Sequence, residues 1–357
     1  MPAVIMAEGK RLRLRNTNTL SYDFRGLFNN SDHNLNVLVG HEVLTSNDNT
    51  LRSTLHGFDV LFTSEEAFRL TSLAKFPISV SNFYSPNDHL LSFFARANYN
   101  YRGRYFVEGV YRADGSSRFL GDNVWGYFPS MSVGWKISEE GFMSGLLNRI
   151  NLLKLRASYG ESGNNNIPTG QTFQFFEPAT GTSLGWMNGV TTYLTPSKTM
   201  ANPDLKWETT VTTNIGLDYG LLQNRITGTI ELYRNLTKDL LVRFPTTGTG
   251  YEDQYRNMGE TENKGIELSL TYAAIDKEDY GLNISANISF NRNKIISLGS
   301  LQEITAGTNS NWASTQIGND YKVAVGYALG QMYGYLNDGR YEVSDLKDTM
   351  TVRIGGF

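Results

Sequence analysis

Alternation of apolar and polar positions is the strongest pattern in this chain. Between residues 91 and 101 the odd positions are apolar or aromatic and the even positions are mostly polar or charged. A period of two predicts a strand with one apolar face and one polar face. The pattern restarts at Tyr105, after the tight turn Arg102-Gly103-Arg104, and continues through two more strands to Tyr159. This stretch therefore predicts two consecutive β-hairpins.

Further alternating stretches raise the expected number of strands to about ten. They lie near residues 10–28, 35–39, 210–219, 226–232, 266–272 and 280–291. A long irregular connection is expected over residues 45–89. Within it, Thr63 and Glu66 fit a capping box that opens a short helix reaching about Lys75. The segments 160–206 and beyond residue 298 show no sustained period, apart from a weak strand near Tyr341.

Two architectures produce one apolar and one polar face on every strand. A soluble β-sandwich turns its apolar face inward, whereas an outer-membrane barrel turns it to lipid. The connections favour the barrel, because short ones alternate strictly with long ones. The short connections lie near 29–33, 102–104, 138–148, 220–225 and 273–279, and the long ones near 45–89, 115–126, 161–206, 241–256 and beyond 298. Up-and-down membrane barrels have this rhythm, and Greek-key sandwiches have no reason to keep it.

Aromatic residues near the short connections support the same interpretation. They fall on the apolar parity, as expected for a girdle at one membrane interface: Tyr22, Phe24, Tyr99, Tyr101, Tyr105, Trp135, Tyr219, Tyr272 and Tyr280. The barrel hypothesis also assigns faces. We expect an outward set of Phe93, Ala95, Ala97, Val107, Ile215, Leu268, Ile284 and Ile288, and a concave set of Arg96, Arg112, Lys154, Arg156, Asn214 and Glu267.

Composition excludes several classes of function. The chain of 357 residues has no cysteine and four histidines, and its net charge is −3. The histidines are not paired at metal-ligand spacing, and the charge argues against nucleic acid as a partner. No apolar run is long enough for a transmembrane helix. No catalytic triad, carboxylate dyad or phosphate-binding loop is present, so we predict no enzyme activity, no metal site and no cofactor.

Several peptides resemble those of the SusC/RagA family of TonB-dependent outer-membrane transporters from Bacteroidetes-type bacteria. They occur in the family's order and cover nearly the whole chain: YRADGSSRF from Tyr111, YFPS from Tyr127, LKLRASYG from Leu153, NPDLKWE from Asn202, NKGIE from Asn263 and YGY from Tyr333. Each peptide alone is a modest signal, but the ordered set is highly specific. The fold class implied is all-β, an antiparallel up-and-down meander forming part of an outer-membrane β-barrel with long extracellular loops.

The resemblance also implies a function and partners. It implies import of glycans or peptides across the outer membrane of a Gram-negative cell, together with a SusD-like surface lipoprotein. Energy would come from the TonB complex through a plug and a TonB box. These parts and a signal peptide have no counterpart in the chain, so we expect residues 1–357 to be a partial barrel domain, since such barrels close at about 22 strands. The alternatives are a passive porin-like barrel or adhesin, and a soluble glycan-binding β-sandwich.

Substrate-binding residues cannot be assigned from these patterns. Aromatic residues in the long loops are the weak candidates, because such rings stack on sugars: Trp186, Tyr193 and Trp312. The same rings would equally serve to pack the loops on one another.

Overall fold

The computed structural model describes residues 3–24, 32–85, 87–178, 185–187, 190–192, 194–246, 248–304, 321–334 and 339. The first strands are β1 (Val4–Asp23), β2 (His33–His56), β3 (Phe76–Tyr84), β4 (Asp88–Tyr101), β5 (Tyr105–Ser116), β6 (Trp125–Lys136) and β7 (Ile150–Asn164). Short strands follow: β8 (Phe176–Pro178), β9 (Gly185–Met187), β10 (Val190–Thr192), β11 (Leu194–Pro196) and β12 (Thr199–Met200). Next come β13 (Glu208–Leu221), β14 (Ile226–Lys238), β15 (Leu241–Pro245), β16 (Asp253–Asn257), β17 (Glu260–Asp276) and β18 (Gly281–Ser297). The last are β19 (Glu303–Ile304), β20 (Tyr321–Ala324) and β21 (Gln331–Met332).

Helical structure is sparse among the described residues. The α-helix α1 spans Ser64–Arg69, and 3₁₀ turns span Thr71–Leu73, Gly121–Val124, Ile137–Glu139 and Gly141–Leu146. None of these helices has the length and apolar character needed to cross a bilayer.

Ten strands form one antiparallel meander across the described residues. Their order is β1-β2-β4-β5-β6-β7-β13-β14-β17-β18, so neighbours along the chain are neighbours in the sheet. The predicted meander of about ten strands is therefore confirmed. The strand β3 is the departure from this order. It pairs with residues 49–56 of β2, on the edge whose residues 33–46 pair with β4.

Strand register separates the two predicted sets of side chains. Directly opposite residues of antiparallel strands lie on the same face. One row of opposed residues crosses nine strands: Leu35, Tyr99, Val107, Val133, Ala157, Ile215, Leu232, Ile266 and Phe290. We call this side the apolar face and the opposite side the polar face. By the same pairing, all eight residues predicted to point outward share the apolar face, and all six predicted concave residues share the polar face. That the apolar face is the outside of a barrel stays a prediction.

The strands are staggered as barrel closure requires. Within that row, Leu35 lies two residues from the start of β2, whereas Phe290 lies nine residues from the start of β18. Both strands begin at the short-connection end of the sheet, so the row drifts by seven residues across the meander. The drift is uneven from strand to strand, but its net direction means that the meander as a whole is inclined to the rows of hydrogen bonds. Such inclination and stagger are the geometric condition for a closed barrel.

Two of the short connections, at 102–104 and 222–225, are tight turns with left-handed backbone. Arg102 and Gly103 have φ of 55° and 66°, and the Arg104 amide closes the turn by donating to the Tyr101 carbonyl oxygen over 3.0 Å. Positive φ at both central residues matches the twist of the flanking strands. Leu222, Gln223 and Asn224 also have positive φ, between 54° and 60°. Anchoring bonds hold that strained turn: the Leu222 amide donates to the carbonyl oxygen of Arg149 over 2.8 Å.

The largest error of the sequence-based prediction concerns residues 45–89. They were expected to be irregular, but β2 continues to His56 and β3 lies within them. The upper part of β2 has no apolar alternation, because polar residues occupy both of its faces. It is a strand nevertheless, since its backbone pairs with β1 on one edge and β3 on the other.

Two other expected boundaries also differ. The first strand runs over Val4–Asp23 rather than residues 10–28. The capping box of α1 is confirmed, since the Thr63 hydroxyl accepts from the Glu66 amide and the Glu66 carboxylate accepts from the Thr63 amide. The helix ends at Arg69 rather than near Lys75, because Leu70 leaves the helical region at φ −116° and ψ 47°. The expected strand near Tyr341 lies outside the described residues.

Candidate functional site on the polar face

The polar face carries charged side chains that bond to one another. Arg96 of β4 donates to the Glu108 carboxylate of β5 from Nε over 3.0 Å and from Nη2 over 2.5 Å. Asn98 donates to the same carboxylate over 3.2 Å. The strand register explains this grouping, because Asn98 lies directly opposite Glu108 and Arg96 lies one step along the same face. The positive charge of Arg96 and the negative charge of Glu108 therefore balance each other within the wall.

A second group lies further along the same strands. Arg112 donates from Nε to both oxygens of Asp114, over 2.8 and 2.9 Å, and from Nη2 to the Ser92 hydroxyl over 2.8 Å. Its guanidinium also lies over the Phe94 ring, 5.5 Å from the centroid. Ser92 and Asp114 are buried. Burial strengthens these bonds and makes the loss of one partner costly.

A third group joins three strands. Arg156 of β7 donates to both oxygens of Asp218 on β13, over 2.9 and 2.8 Å, and to Glu231 on β14 over 2.8 Å. The Glu231 carboxylate also accepts from Asn214 over 3.1 Å. To reach β14, the arginine passes over Gly216, where a Cβ atom would lie only 2.9 Å from its Nη2. The absence of a side chain at Gly216 is therefore a condition for this group.

Small uncharged residues lie between these groups. Residues on β6, β7 and β13 line a shallow depression beside Glu108: Ser130, Ser132, Ser158, Gly160 and Thr212. Hydroxyl groups both donate and accept hydrogen bonds. Glu108, Val110, Met131 and Tyr159 also line the depression, so it offers hydrogen-bonding groups beside apolar surface.

At the long-loop end, apolar side chains gather over the polar face. Phe128 occupies a polar-face position of β6, and its ring lies against Gly126 and Gly163. It packs with residues from three loops in a buried group that we call the rim core: Phe119, Phe128, Ile167, Leu205 and Trp207. Trp207 satisfies its Nε1 hydrogen by donating to the Val124 carbonyl over 3.1 Å. The loops at this end are thus packed onto the wall.

Arg118 fastens the rim core to the sheet. It donates to both oxygens of Asp88 over 3.1 and 2.6 Å, and to the carbonyls of Asn165 and Ile167 over 2.9 and 2.6 Å. One guanidinium thereby joins the start of β4, the loop after β5 and the loop after β7. The peptides that carry the family resemblance, around Phe119, Phe128 and Leu205, meet here in space.

On the apolar face, two aromatic rings near a short connection share one acceptor. The Tyr105 hydroxyl and the Trp135 indole donate to Oε1 of Glu140 over 2.5 and 3.0 Å. These two bonds lower the pKa of the Glu140 carboxyl below its usual range. The rings of Tyr101 and Tyr105 also stack, with centroids 6.2 Å apart. The carboxylate orients aromatic residues of the expected girdle.

The predicted loop candidates give no site. Trp186 lies in β9 with its backbone opposite Thr191 of β10, and Tyr193 and Trp312 lie outside the described residues. Their role in binding substrate stays a prediction. Within the described ranges, no group of three His, Cys, Asp or Glu side chains is arranged to hold a metal ion.

The sequence patterns predicted neither the rim core nor the Arg118–Asp88 ion pair that holds it to the sheet. One signal was present, because Phe128 places a large aromatic ring at a position where the strand pattern calls for a polar side chain. The nearby glycine at Gly126 was a second signal, since a flat ring packs well over a glycine.

Comparison with known proteins gives consistent matches. The family model of the TonB-dependent receptor-like β-barrel matches residues 7–357. The TonB-dependent receptor SusC of Bacteroides thetaiotaomicron is 39% identical over 263 residues, which are 71% of this chain and 25% of that protein. The TonB-dependent receptor P39 of Formosa agariphila is 35% identical over 257 residues, which are 72% of this chain and 23% of that protein.

A solved structure agrees in fold. The structure of the RagAB peptide transporter superposes with a TM-score of 0.73 at 25% identity, covering 91% of this chain and 34% of that one. The chain thus spans about a quarter to a third of the length of the relatives that it matches.

Proposed function

The chain belongs to the TonB-dependent receptor-like β-barrel family of outer-membrane proteins, and from that premise we propose that it forms part of the wall of an energy-coupled importer. The apolar face meets lipid, and the polar face lines the interior through which substrate passes. The whole importer includes a plug that receives energy from the TonB complex.

The observation that best supports this proposal is that one face of the staggered meander is apolar along its whole width, whereas the other face is polar. Several charges of the polar face are paired within the wall, as in Arg156 with Asp218 and Glu231. Paired and hydrogen-bonded side chains of this kind give the polar face many donors and acceptors. Such a surface suits a wet or plugged lumen, whereas a continuous apolar row on the other side suits hydrocarbon.

We infer that the substrates are oligosaccharides or peptides. Peptide import is what the RagAB transporter is named for, and that structure covers most of this chain. The family resemblance of the sequence supports glycans as the other class. The hydroxyl-lined depression near Ser132 and Ser158 suits either class, because both expose many hydrogen-bonding groups.

A SusD-like lipoprotein is the proposed partner at the long-loop end. The resemblance to SusC-type transporters supports it, and the rim core gives this end of the wall packed loops on which a lid would rest. We propose no catalytic reaction for the chain. Turnover of a glycoside or peptide bond by the purified protein, abolished by one point substitution, would contradict this.

Uptake by cells tests the transport proposal. The whole transporter, expressed in its outer membrane, should import labelled oligosaccharides or peptides only when TonB is present. A small solute that crosses general porins serves as the control, since its entry should not depend on TonB. Equal uptake of the large substrates with and without TonB would identify a passive pore and overturn the proposal.

Thiol labelling tests the assignment of faces. The chain has no cysteine, so single cysteines introduced into it report without background from this region. Ser158→Cys on the polar face should react with a membrane-impermeant thiol reagent, while Ala157→Cys on the apolar face should be protected by lipid. These neighbours point to opposite sides of β7, because side chains alternate along a strand. Reaction of Ala157→Cys but not Ser158→Cys would reverse the assignment.

A further inference from the structure

Cationic side chains replace the apolar residues at one level of the apolar face. Leu232, Ile266 and Phe290 are opposed across β14, β17 and β18. The next residues on the same face, toward the long-loop end, are Arg234, Lys264 and Arg292, which are opposed in the same way. Lys294 follows on β18, opposite Glu262. We call these four cations the cationic patch.

The side chains of the cationic patch are exposed and carry a net positive charge. The side chains of Arg234 and Lys264 are 58% and 60% exposed, and Arg292 and Lys294 are also exposed. Glu262, which is only 9% exposed, binds Arg234 over 2.6 Å and Lys264 over 3.4 Å. One buried carboxylate thus holds two of the four cations in place, and the patch keeps an excess of positive charge.

Within the described strands, the patch is confined to β14, β17 and β18 at this level of the apolar face. Two strands that continue the same row carry neutral residues instead, Thr213 on β13 and Tyr159 on β7. Neighbouring strands lie about 4.8 Å apart, so the three opposed cations span about 10 Å. That width matches one large headgroup carrying phosphates, rather than a general interfacial preference for lysine and arginine.

We propose that the cationic patch binds the phosphate-bearing headgroup of a membrane lipid in the outer leaflet. The inference rests on the proposed function, in which the apolar face meets lipid and the long loops lie outside. The acyl chains of that lipid lie along the exposed apolar side chains directly below, Leu232 and Phe290. This continuity with an apolar strip favours a lipid over a free phosphate ion, which would need no apolar surface.

The test uses the whole transporter in nanodiscs of phosphatidylcholine with a minor fraction of phosphatidic acid. Native mass spectrometry measures how many phosphatidic acid molecules remain bound relative to phosphatidylcholine. The double variant Arg292→Gln/Lys294→Gln leaves both partners of Glu262 intact, which keeps the local fold. Each cation near a lipid surface changes binding about fivefold, so the preference should fall about 30-fold.

Two further variants make the result specific. Arg292→Lys/Lys294→Arg keeps the charges and should keep the preference. Lys10→Gln/Lys277→Gln removes two exposed cations outside the patch and should leave the preference unchanged.

The outcomes separate the two proposals. A transporter that assembles and imports but shows no preference for phosphatidic acid, or loses it equally in both glutamine variants, overturns the lipid site alone. Displacement of the lipid by inorganic phosphate at equal concentration also overturns it. A protein that does not assemble in the outer membrane would instead contradict the proposed function.

Discussion

The two faces of the sheet hold their side chains in different ways. On the apolar face, residues such as Phe93, Ile215 and Ile284 stand half exposed beside similar neighbours. On the polar face, side chains bond to specific partners on other strands, as Arg156 does with Asp218 and Glu231. The apolar face therefore tolerates exchange among apolar residues, whereas the polar face depends on individual pairs.

Glycines make this difference possible. Arg156 passes over Gly216, and Tyr233 passes over Gly265 to accept a hydrogen bond from Asn291 over 2.9 Å. A Cβ atom at Gly265 would lie 2.7 Å from the Tyr233 hydroxyl oxygen. Long side chains on the polar face thus reach two strands away, and they tie the sheet together beyond its backbone hydrogen bonds.

Removal of the Phe128 ring should have the largest effect and should show how strongly the polar face is packed at its rim. Phe128→Ala empties the space over Gly126 and Gly163, and we expect the free energy of unfolding of the transporter to fall by about 3–5 kcal/mol. Denaturant unfolding in detergent measures it. Tyr127→Ala is the matched control, since Tyr127 is 57% exposed on the other face and should cost far less. Equal costs would contradict the distinction between the faces.

A charge on the apolar face should be the next largest disturbance. Ile288→Arg places a guanidinium on the apolar face opposite Leu268, away from the girdle, and we expect it to cost about 2–4 kcal/mol, as for an arginine near the bilayer midplane. The measurement is the heat-modifiable, folded fraction of the transporter in outer membranes. Ser289→Arg, the next residue on the opposite face, is the control and should assemble normally. Normal assembly of both variants would count against lipid contact at Ile288.

Loss of one arginine should test the pairing on the polar face. Arg156→Met leaves the carboxylates of Asp218 and Glu231 without their cation, and we expect a cost of about 1–2 kcal/mol. This cost is smaller than that of breaking a fully buried ion pair, because the Arg156 side chain is 34% exposed and solvent screens its interaction with the carboxylates. Gly216→Leu should reproduce most of the loss by pushing the guanidinium away from Glu231.

A double-variant cycle sharpens the Arg156 prediction. Adding Asp218→Asn to Arg156→Met should lower the free energy of unfolding little further, because Asp218 has already lost its partner Arg156. Fully additive costs would show that the two side chains do not interact, and the paired wall would then be wrong at this point.

Most of the wall could be predicted from the sequence, and the comparison of faces explains why. Alternation is visible in β4 to β7 because one face of each strand is apolar. It disappears in β2 beyond residue 45, where polar residues occupy both faces, so that part and β3 were missed. Backbone pairing needs no side-chain period, and such strands leave little local signal.

The candidate site was less predictable than the wall. Residues such as Arg112 and Arg156 were placed on the correct face, but their partners depend on strand register and on glycines in adjacent strands. The rim core joins Phe119 to Leu205, which are far apart in the sequence. Contacts of this kind follow from the fold as a whole, and no local pattern specifies them.

Protonation of Glu140 should have the smallest effect on stability. It tests whether the girdle, unlike the rest of the apolar face, is held by specific hydrogen bonds. The pKa of its carboxyl is lowered chiefly by the hydrogen bond from Tyr105, then by that from Trp135. Its contribution to stability is therefore present above the usual glutamate pKa and is lost as the pH falls through the lowered value. We expect Trp135 fluorescence to shift over this acidic range in the transporter, and the shift to be absent in Glu140→Gln. Glu139→Gln is the control, because Glu139 binds Lys136 over 2.8 Å rather than the rings. An unchanged shift in Glu140→Gln would mean that the carboxylate does not orient the girdle, and the apolar face would then be held by packing alone.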